Sequence, residues 1–297
     1  MAMLDGQVVV VTGAGRGIGR AIALAMAAEG AAIVVNDIGT SEGGEGSDAT
    51  PAQSVVDEIS ASGGRAVANY QSIVSWDGAH EIVQTAVETF GRIDGVVNNA
   101  GILRDGMFHK MSEGDFDAVI AVHLKGAFNM SRAAATHFRE QSGGFLIHMT
   151  SSTGLIGNVG QANYGAAKMA LVGLSRCIAL DMRRFNVRSN CISPAAATRM
   201  TATIPEEQVE RRARIALMGP EKVAALAVAV AASPVSGQVF FVRRNEIALM
   251  SQSRPVMQMQ SSEGWTPQRI VGEIFPAFTP SFYPLQTAAD VFCWDPA

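Results

Sequence analysis

The sequence predicts an α/β fold, a seven-stranded parallel sheet with helices on both faces. Three observations predict it. Short, wholly apolar, β-branched runs such as residues 8–11 and 33–35 recur along the chain, as strands buried on both faces do. Stretches of helical periodicity lie between them, so strands and helices alternate. The 297 residues, 48% hydrophobic and 17% charged, suffice for one large core.

Residues 8–11 are the first strand. The turn after it reads Thr12-Gly13-Ala14-Gly15-Arg16-Gly17-Ile18-Gly19, and a helical pattern over residues 20–29 is stopped by Gly30. Residues 33–35 are the second strand, ending in Asn36-Asp37. This is a βαβ unit of the dinucleotide-binding kind. Gly13, Gly17 and Gly19 permit a tight turn and let the backbone, with Arg16 and Ile18, approach a pyrophosphate at the helix N-terminus. Asp37 follows Gly19 by eighteen residues, close to the ~20 expected of a ribose-binding acid. A carboxylate there accepts from both ribose hydroxyls and repels a 2′-phosphate, which favours NAD over NADP. Arg16, able to pair with a phosphate, pulls the other way; Asp37 is given the greater weight.

Residues 39–48 are expected to be a mobile Gly/Ser/Glu loop. Thr50-Pro51-Ala52-Gln53 then starts a helix, with Thr50 as N-cap, that runs to about Ser62. The third strand spans 66–70, with Ser72-Ile73 at its tip beside an adenine. A helix over 79–90 leads to the fourth strand, 93–97, which ends in Asn98-Asn99-Ala100-Gly101. Ser112 and Asp115 resemble a capping box for a helix to about Leu124, and 127–141 is another helix. The fifth, sixth and seventh strands are read at 145–149, 188–192 and 238–242, with a helix over 224–232 before the last.

The chemistry centres on residues 150–168. Tyr164 and Lys168, four apart, share one face if that stretch is helical. A free phenol titrates near ~10, and a nearby cation lowers that value. Ser151, thirteen residues before Tyr164, stands at the end of the fifth strand and delivers a hydroxyl. The three together can hold a carbinol or carbonyl oxygen and move its proton, which is what a hydride-transfer site needs.

The formal charge of -4 gives no basic footprint for nucleic acid. The N-terminus has no charged region followed by a long apolar stretch, so no signal peptide is expected, and no apolar run is long enough to span a membrane. Cys177, Cys191 and Cys293 are scattered, with no pairing that suggests zinc or another metal. They read as packing residues in a reducing cytoplasm.

The motifs TGxxxGxG at 12–19, NNAG at 98–101, Ser151, and YxxxK from Tyr164 to Lys168 resemble the short-chain dehydrogenase/reductase family over residues 6–243. The resemblance implies a Rossmann-type doubly wound sheet and a tetramer or dimer. It implies Tyr164 as acid/base, Lys168 on the nicotinamide ribose and lowering the phenol pKa, and Ser151 orienting the substrate oxygen. It also implies Asn99, Ala100 and Gly101 at the cofactor pocket, and Pro194, Ala197 and Thr198 in the loop that meets the nicotinamide. Two departures stand out. His123 falls where the family often has an Asn that supports a proton relay, and Ala195 follows Pro194 where the family often has Gly. Asn36-Asp37, Ser72, GILRD at 101–105, VHLKG at 122–126, GNVGQANY at 157–164 and Thr198-Arg199-Met200 are similar to the NAD-dependent 3-hydroxyacyl-CoA dehydrogenase domain of peroxisomal multifunctional enzymes. The substrate implied is therefore an acyl-CoA or another hydrophobic secondary alcohol. His123 keeps two readings, a relay residue or a neutral core histidine bonded to backbone carbonyls. Arg211, Arg212 and Arg214 read as a solvated helix face, with a CoA phosphate site as the rival reading.

Residues 244–297 lie beyond the family core. They hold seven aromatics, including Trp265, Phe282, Phe292 and Trp294, and disordered tails are poor in these, so the extension is expected to pack on the core or on a neighbouring subunit. Prolines at 276, 280 and 284 favour an extended path there.

Overall fold

The computed structural model describes residues 2–196 and 218–293. Ala197, Thr198, Arg199, Met200, the Arg211–Arg214 cluster and Trp294 lie outside the described residues.

Val8–Thr12 (β1), Ala32–Asn36 (β2), Arg65–Asn69 (β3), Gly95–Asn98 (β4), Gly144–Met149 (β5), Val187–Ala195 (β6) and Val239–Arg243 (β7) form the parallel sheet. The strand order is β3-β2-β1-β4-β5-β6-β7, extended by an eighth strand, Glu246–Leu249 (β8). β8 pairs antiparallel with β7, so the seventh strand is not the sheet edge that a purely parallel reading makes it. Its partly exposed alternation, with Ile247 and Leu249 facing out, lacks the continuous apolar run that marks the other strands.

Val9, Val11, Ile33, Val35 and Ile147 pack on one face of the sheet against Gly17–Ala28 (α1) and Pro220–Ala232 (α8). Val8, Val10, Val34, Val96 and Leu146 pack on the other, against Trp76–Phe90 (α3) and Ala127–Gln141 (α5). The reversal of strand order lies between β1 and β4, and the tips of β1, β2, β4 and β5 open onto one crevice, where ligands of such sheets bind.

Two local expectations shift. The helix Thr50–Ala61 (α2) has Ala49 rather than Thr50 as its N-cap; the Asp48 carboxylate takes the Thr50 N–H at 2.9 Å instead. Glu113–Ile120 (α4) starts at Ser112, whose hydroxyl accepts from Asp115 N at 3.1 Å, as the capping box predicts. It then runs into a π-helical turn, Ala121–Gly126, before α5. Such turns concentrate at functional sites.

In the C-terminal extension, residues 267–281 form a chain of short helical turns rather than an extended strand. Pro267, Pro276 and Pro280 each sit at the first positions of a turn, where a missing N–H costs nothing. The end of the extension returns to its own core. Phe292 stacks on Phe241 at 4.1 Å, and Ala288 N donates to Gly157 O at 2.9 Å.

Candidate active site

The first wall of the crevice is the glycine turn between β1 and α1. Gly13 and Gly17 take positive φ. A Cβ at Gly19 would overlap the Gly13 carbonyl and the Asn99 amide, so Gly19 lies beneath the loop and permits its close approach to the helix. Thr12 and Asn99 lock the turn to β4. Thr12 Oγ1 accepts from Asn99 N and Ala100 N at 3.0 and 3.1 Å, and Asn99 Nδ2 donates to the Thr12 and Gly13 carbonyls at 2.9 and 3.0 Å. No side chain caps the start of α1, so its first N–H groups stay available to an anion.

At the tip of β2 the Asp37 carboxylate accepts from Gly15 N at 2.8 Å and from Gly39 N at 2.7 Å. These bonds fix its direction and leave lone pairs for further donors. The Arg16 guanidinium lies 3.7 Å from the Asp48 carboxylate, so its charge already has a partner. Asn36, buried beside Asp37, donates to Asn69 Oδ1 and Gln71 O and ties the β2 and β3 tips together.

Ser152–Leu155 (α6) and Ala162–Asp181 (α7) bring the other wall. Tyr164 and Lys168 stand one turn apart on α7, whose start is anchored by buried Asn163; its Nδ2 donates to Arg104 O at 2.8 Å. Burial pushes the Tyr164 phenol above its ordinary value; a hydrogen bond with Ser151 pulls it down, and the Asp105 carboxylate raises it. The spacing leads one to expect Lys168 beside the phenol. Lys168 Nζ donates to Met149 O at 2.6 Å and lies 5.4 Å from the Tyr164 ring centre. Burial brings its own pKa down to about 7, so the cation is only partly present.

His123 sits in the π-helical turn, 3% exposed, with its ring edge-on to Tyr164 at 5.2 Å. Its Nε2 lies 2.8 Å from Ile102 O and 3.1 Å from Ile102 N. Burial above all, then the charge of Lys168, sets its pKa well below 6.5. A second buried histidine, His148, is held to about 4, first by burial and then by Lys168; Asn98 Nδ2 lies 3.3 Å from its Nδ1.

These parts enclose a cavity of about 440 Å³ that runs from Asp37 to Tyr164. Gly13, Arg16, Gly17, Ile18, Asp37, Ser72, Ile73, Asn99, Ala100, Gly101, His123, Tyr164, Lys168 and Pro194 all line it. Ser151 does not; its hydroxyl starts α6, accepting from Thr153 N at 3.1 Å, and its influence lowers the Tyr164 phenol. The sequence reading missed Glu42, Arg104 and Thr150 in the lining. Among the described residues no group of three His, Cys, Asp or Glu could hold a metal ion, and no helix is long and apolar enough to cross a membrane. Of the cysteines only Cys191 is buried; Cys177 and Cys293 are exposed and so are not core packing.

Residues 7–209 match the family model described as short chain dehydrogenase. The chain belongs to the short-chain dehydrogenase family. It is thus an oxidoreductase acting on hydroxyl groups, with the family's NAD(P) nucleotide cofactor. It is 48% identical over 223 residues to peroxisomal multifunctional enzyme type 2 of Mus musculus, covering 75% of this chain but only 29% of that protein. It is 39% identical over 290 residues to hydroxyacyl-CoA dehydrogenase ChsB1 of Mycobacterium tuberculosis, covering 91% of this chain and 88% of that one. Among solved structures, 7α-hydroxysteroid dehydrogenase complexed with NADH and 7-oxo glycochenodeoxycholic acid superposes with a TM-score of 0.73 at 32% identity, covering 82% of this dehydrogenase and 95% of that chain.

Proposed function

We propose that this short-chain dehydrogenase oxidises a secondary alcohol with NAD, and that the alcohol is a 3-hydroxyacyl-CoA. The observation that carries the reading is one continuous cavity with the Asp37 carboxylate at one end and the Tyr164 phenol at the other. The residues present suit a dinucleotide. The uncapped start of α1 and the close-packed glycine turn suit a pyrophosphate. The oriented Asp37 carboxylate suits two ribose hydroxyls and opposes a 2′-phosphate, while Arg16 is engaged by Asp48.

A bound nicotinamide supplies the hydride acceptor. The Tyr164 Oη takes the substrate hydroxyl proton, and the Ser151 hydroxyl holds the same oxygen. Lys168 binds ribose hydroxyls, and as an ammonium beside a ribose it favours the phenolate. General acid–base help of this kind is worth ~10²–10⁴-fold, the rest coming from positioning. His123, held through Nε2 to the Ile102 backbone, is a positioning residue that braces the Tyr164 ring rather than a proton carrier.

Acyl-CoA is favoured by the likeness to ChsB1 and to the multifunctional enzyme. Two segments flank the Tyr164 end, joined by Gly106 N donating to Gly160 O at 2.8 Å, and they carry exposed Met107, Phe108 and Val159. Such a rim suits an acyl chain. It also suits a steroid, the ligand named for the 32%-identical structure, which keeps a hydroxysteroid as the second reading. A non-catalytic NAD-sensing module needs no Ser/Tyr/Lys set. We further propose a homotetramer or homodimer in the cytoplasm; cell fractionation distinguishes this from the peroxisome, the compartment in the mouse relative's name. A screen of NAD reduction over 3-hydroxyacyl-CoA chain lengths, hydroxysteroids and aromatic alcohols tests the substrate. The highest kcat/KM is expected with an acyl-CoA; a steroid with the highest value overturns that choice, and no turnover at all leaves the sensing module.

A further inference from the structure

The segment expected to be a mobile loop is tied down on both sides. Residues 39–48 leave the tip of β2 and cross the Asp37 end of the cavity, where Thr40, Ser41, Glu42 and Gly44 line it. The segment has an internal bond, Ser41 N donating to Glu45 O at 2.8 Å, and its end returns to its start, where Asp48 N donates to Ile38 O at 3.0 Å. It is also bonded to the stretch that follows β4, on the far side of the crevice. Leu103 N donates to Glu42 O at 3.0 Å, and Arg104 Nε donates to Gly43 O at 3.1 Å. Gly44, at φ +87, lies against Ile102, where an added Cβ would come within 3.2 Å of Ile102 Cγ2.

Arg104 is the hub of this arrangement. Its Nη1 lies 3.4 Å from the Asp115 carboxylate at the start of α4, and its carbonyl accepts from Asn163, the residue before Tyr164. The neighbouring residues alternate in the same way. Ile102 bonds His123, Leu103 bonds the loop, and Asp105 accepts from Gln161 Nε2 at 2.8 Å. One short strip is therefore stitched to the loop over the Asp37 end on one side and to the start of the Tyr164 helix on the other.

We propose that residues 39–48 form a strap that closes over the dinucleotide site, and that Arg104 is the positioning residue that latches it. The inference rests on the cofactor reading above. In this reading the bonds from Leu103 and Arg104 break before a dinucleotide leaves the Asp37 end, so strap opening precedes its release. Half-buried Arg104 offers the only side-chain bond among these, which makes it the point where the latch can be altered without touching Asp37 or Tyr164.

The test uses the full chain with Arg104→Met, which keeps the stem and removes the donors, and Arg104→Lys, which keeps the charge. Two quantities are read: amide hydrogen exchange of residues 39–48 in the free protein, and the rate of NADH release by stopped-flow fluorescence. Arg104→Met is expected to speed exchange in the strap selectively. It should speed NADH release by roughly five- to tenfold, the size of one partly exposed charge-assisted hydrogen bond. Arg104→Lys should fall between it and the parent. Should Arg104→Met fail to fold, Gly44→Ala decides, since strain at positive φ and pressure on Ile102 open the same strap. NADH release at the parent rate from the deciding variant overturns the proposal, whatever the exchange shows. A parent protein that binds no NADH overturns the cofactor reading and the strap with it.

Discussion

Lys168 Nζ lies 5.4 Å from the centre of the Tyr164 ring and spends its hydrogen bond on the Met149 carbonyl at 2.6 Å. It is a buried amine with no carboxylate beside it among the described residues, and burial sets its pKa at about 7 against an ordinary 10.5. Between those values the unfolded chain holds one more proton than the folded one. Stability therefore rises with pH from about 7 to about 10.5, and this contribution is lowest and flat below about 7. Lys168→Met should abolish that slope. It should also stabilise the fold near neutral pH by about 2–4 kcal/mol, less than the full shift because the Met149 carbonyl is left unpaired. Thermal melts of both proteins across pH check this. A variant that is less stable than the parent would show that the ammonium supports the fold rather than burdening it.

Asp37 is expected to set the cofactor preference. Its two oxygens are aimed by Gly15 N and Gly39 N, so the charge is fixed at the tip of β2. The parent should show higher kcat/KM with NAD than with NADP, and Asp37→Ala should narrow the ratio, mainly through the KM for NADP. A parent that prefers NADP would mean that Arg16 leaves Asp48 for the 2′-phosphate.

His123 is expected to behave as a brace. Its Nε2 is committed to Ile102, and burial keeps the ring neutral across the working pH range. His123→Ala should lower the melting temperature, since it empties a buried site and orphans a peptide group, at a cost of about 1–3 kcal/mol. The pH profile of kcat/KM should keep its shape. An inflection that vanishes in the variant while the melt is unmoved would return the residue to the proton path.

The C-terminal extension offers a surface between its two anchors. Phe282, Tyr283 and Leu285 are exposed, although the end of the same segment is fixed by Phe292 on Phe241. We expect these side chains to cover part of a second copy of the chain. A Phe282→Ser, Tyr283→Ser, Leu285→Ser variant should lower the mass measured by light scattering. Truncation after Val242 is a poorer test, because it also removes β8 and Phe292. An unchanged mass would leave the extension as packing on its own subunit.

Much of this site was legible in the sequence because it rests on local rules. A glycine turn between a buried strand and a helix, an acid at the next strand tip, and an i, i+4 pair on one helix each declare themselves in a few residues. What stayed hidden depends on pairing across the chain. Nothing local says that Leu103 and Arg104 will meet residues 42 and 43, so the strap was read as a free loop. Nor does the i, i+4 rule say which way a long side chain turns, so the bond from Lys168 to the Met149 carbonyl was not foreseen. β8 was missed because an edge strand needs no continuous apolar run. Pro276 and Pro280 misled for a related reason, since each fits the first positions of a short helical turn as well as an extended path.

The central claim is that the Tyr164 hydroxyl, at the end of the dinucleotide cavity, removes the proton of a secondary alcohol. NADH formation from NAD and a 3-hydroxyacyl-CoA by the parent and by Tyr164→Phe, with NADH binding measured in both, tests it most directly. We predict turnover in the parent, a loss of at least ~10²-fold in kcat for the variant, and near-equal NADH affinity, because only one oxygen is removed. Near-parent turnover in Tyr164→Phe would contradict the claim.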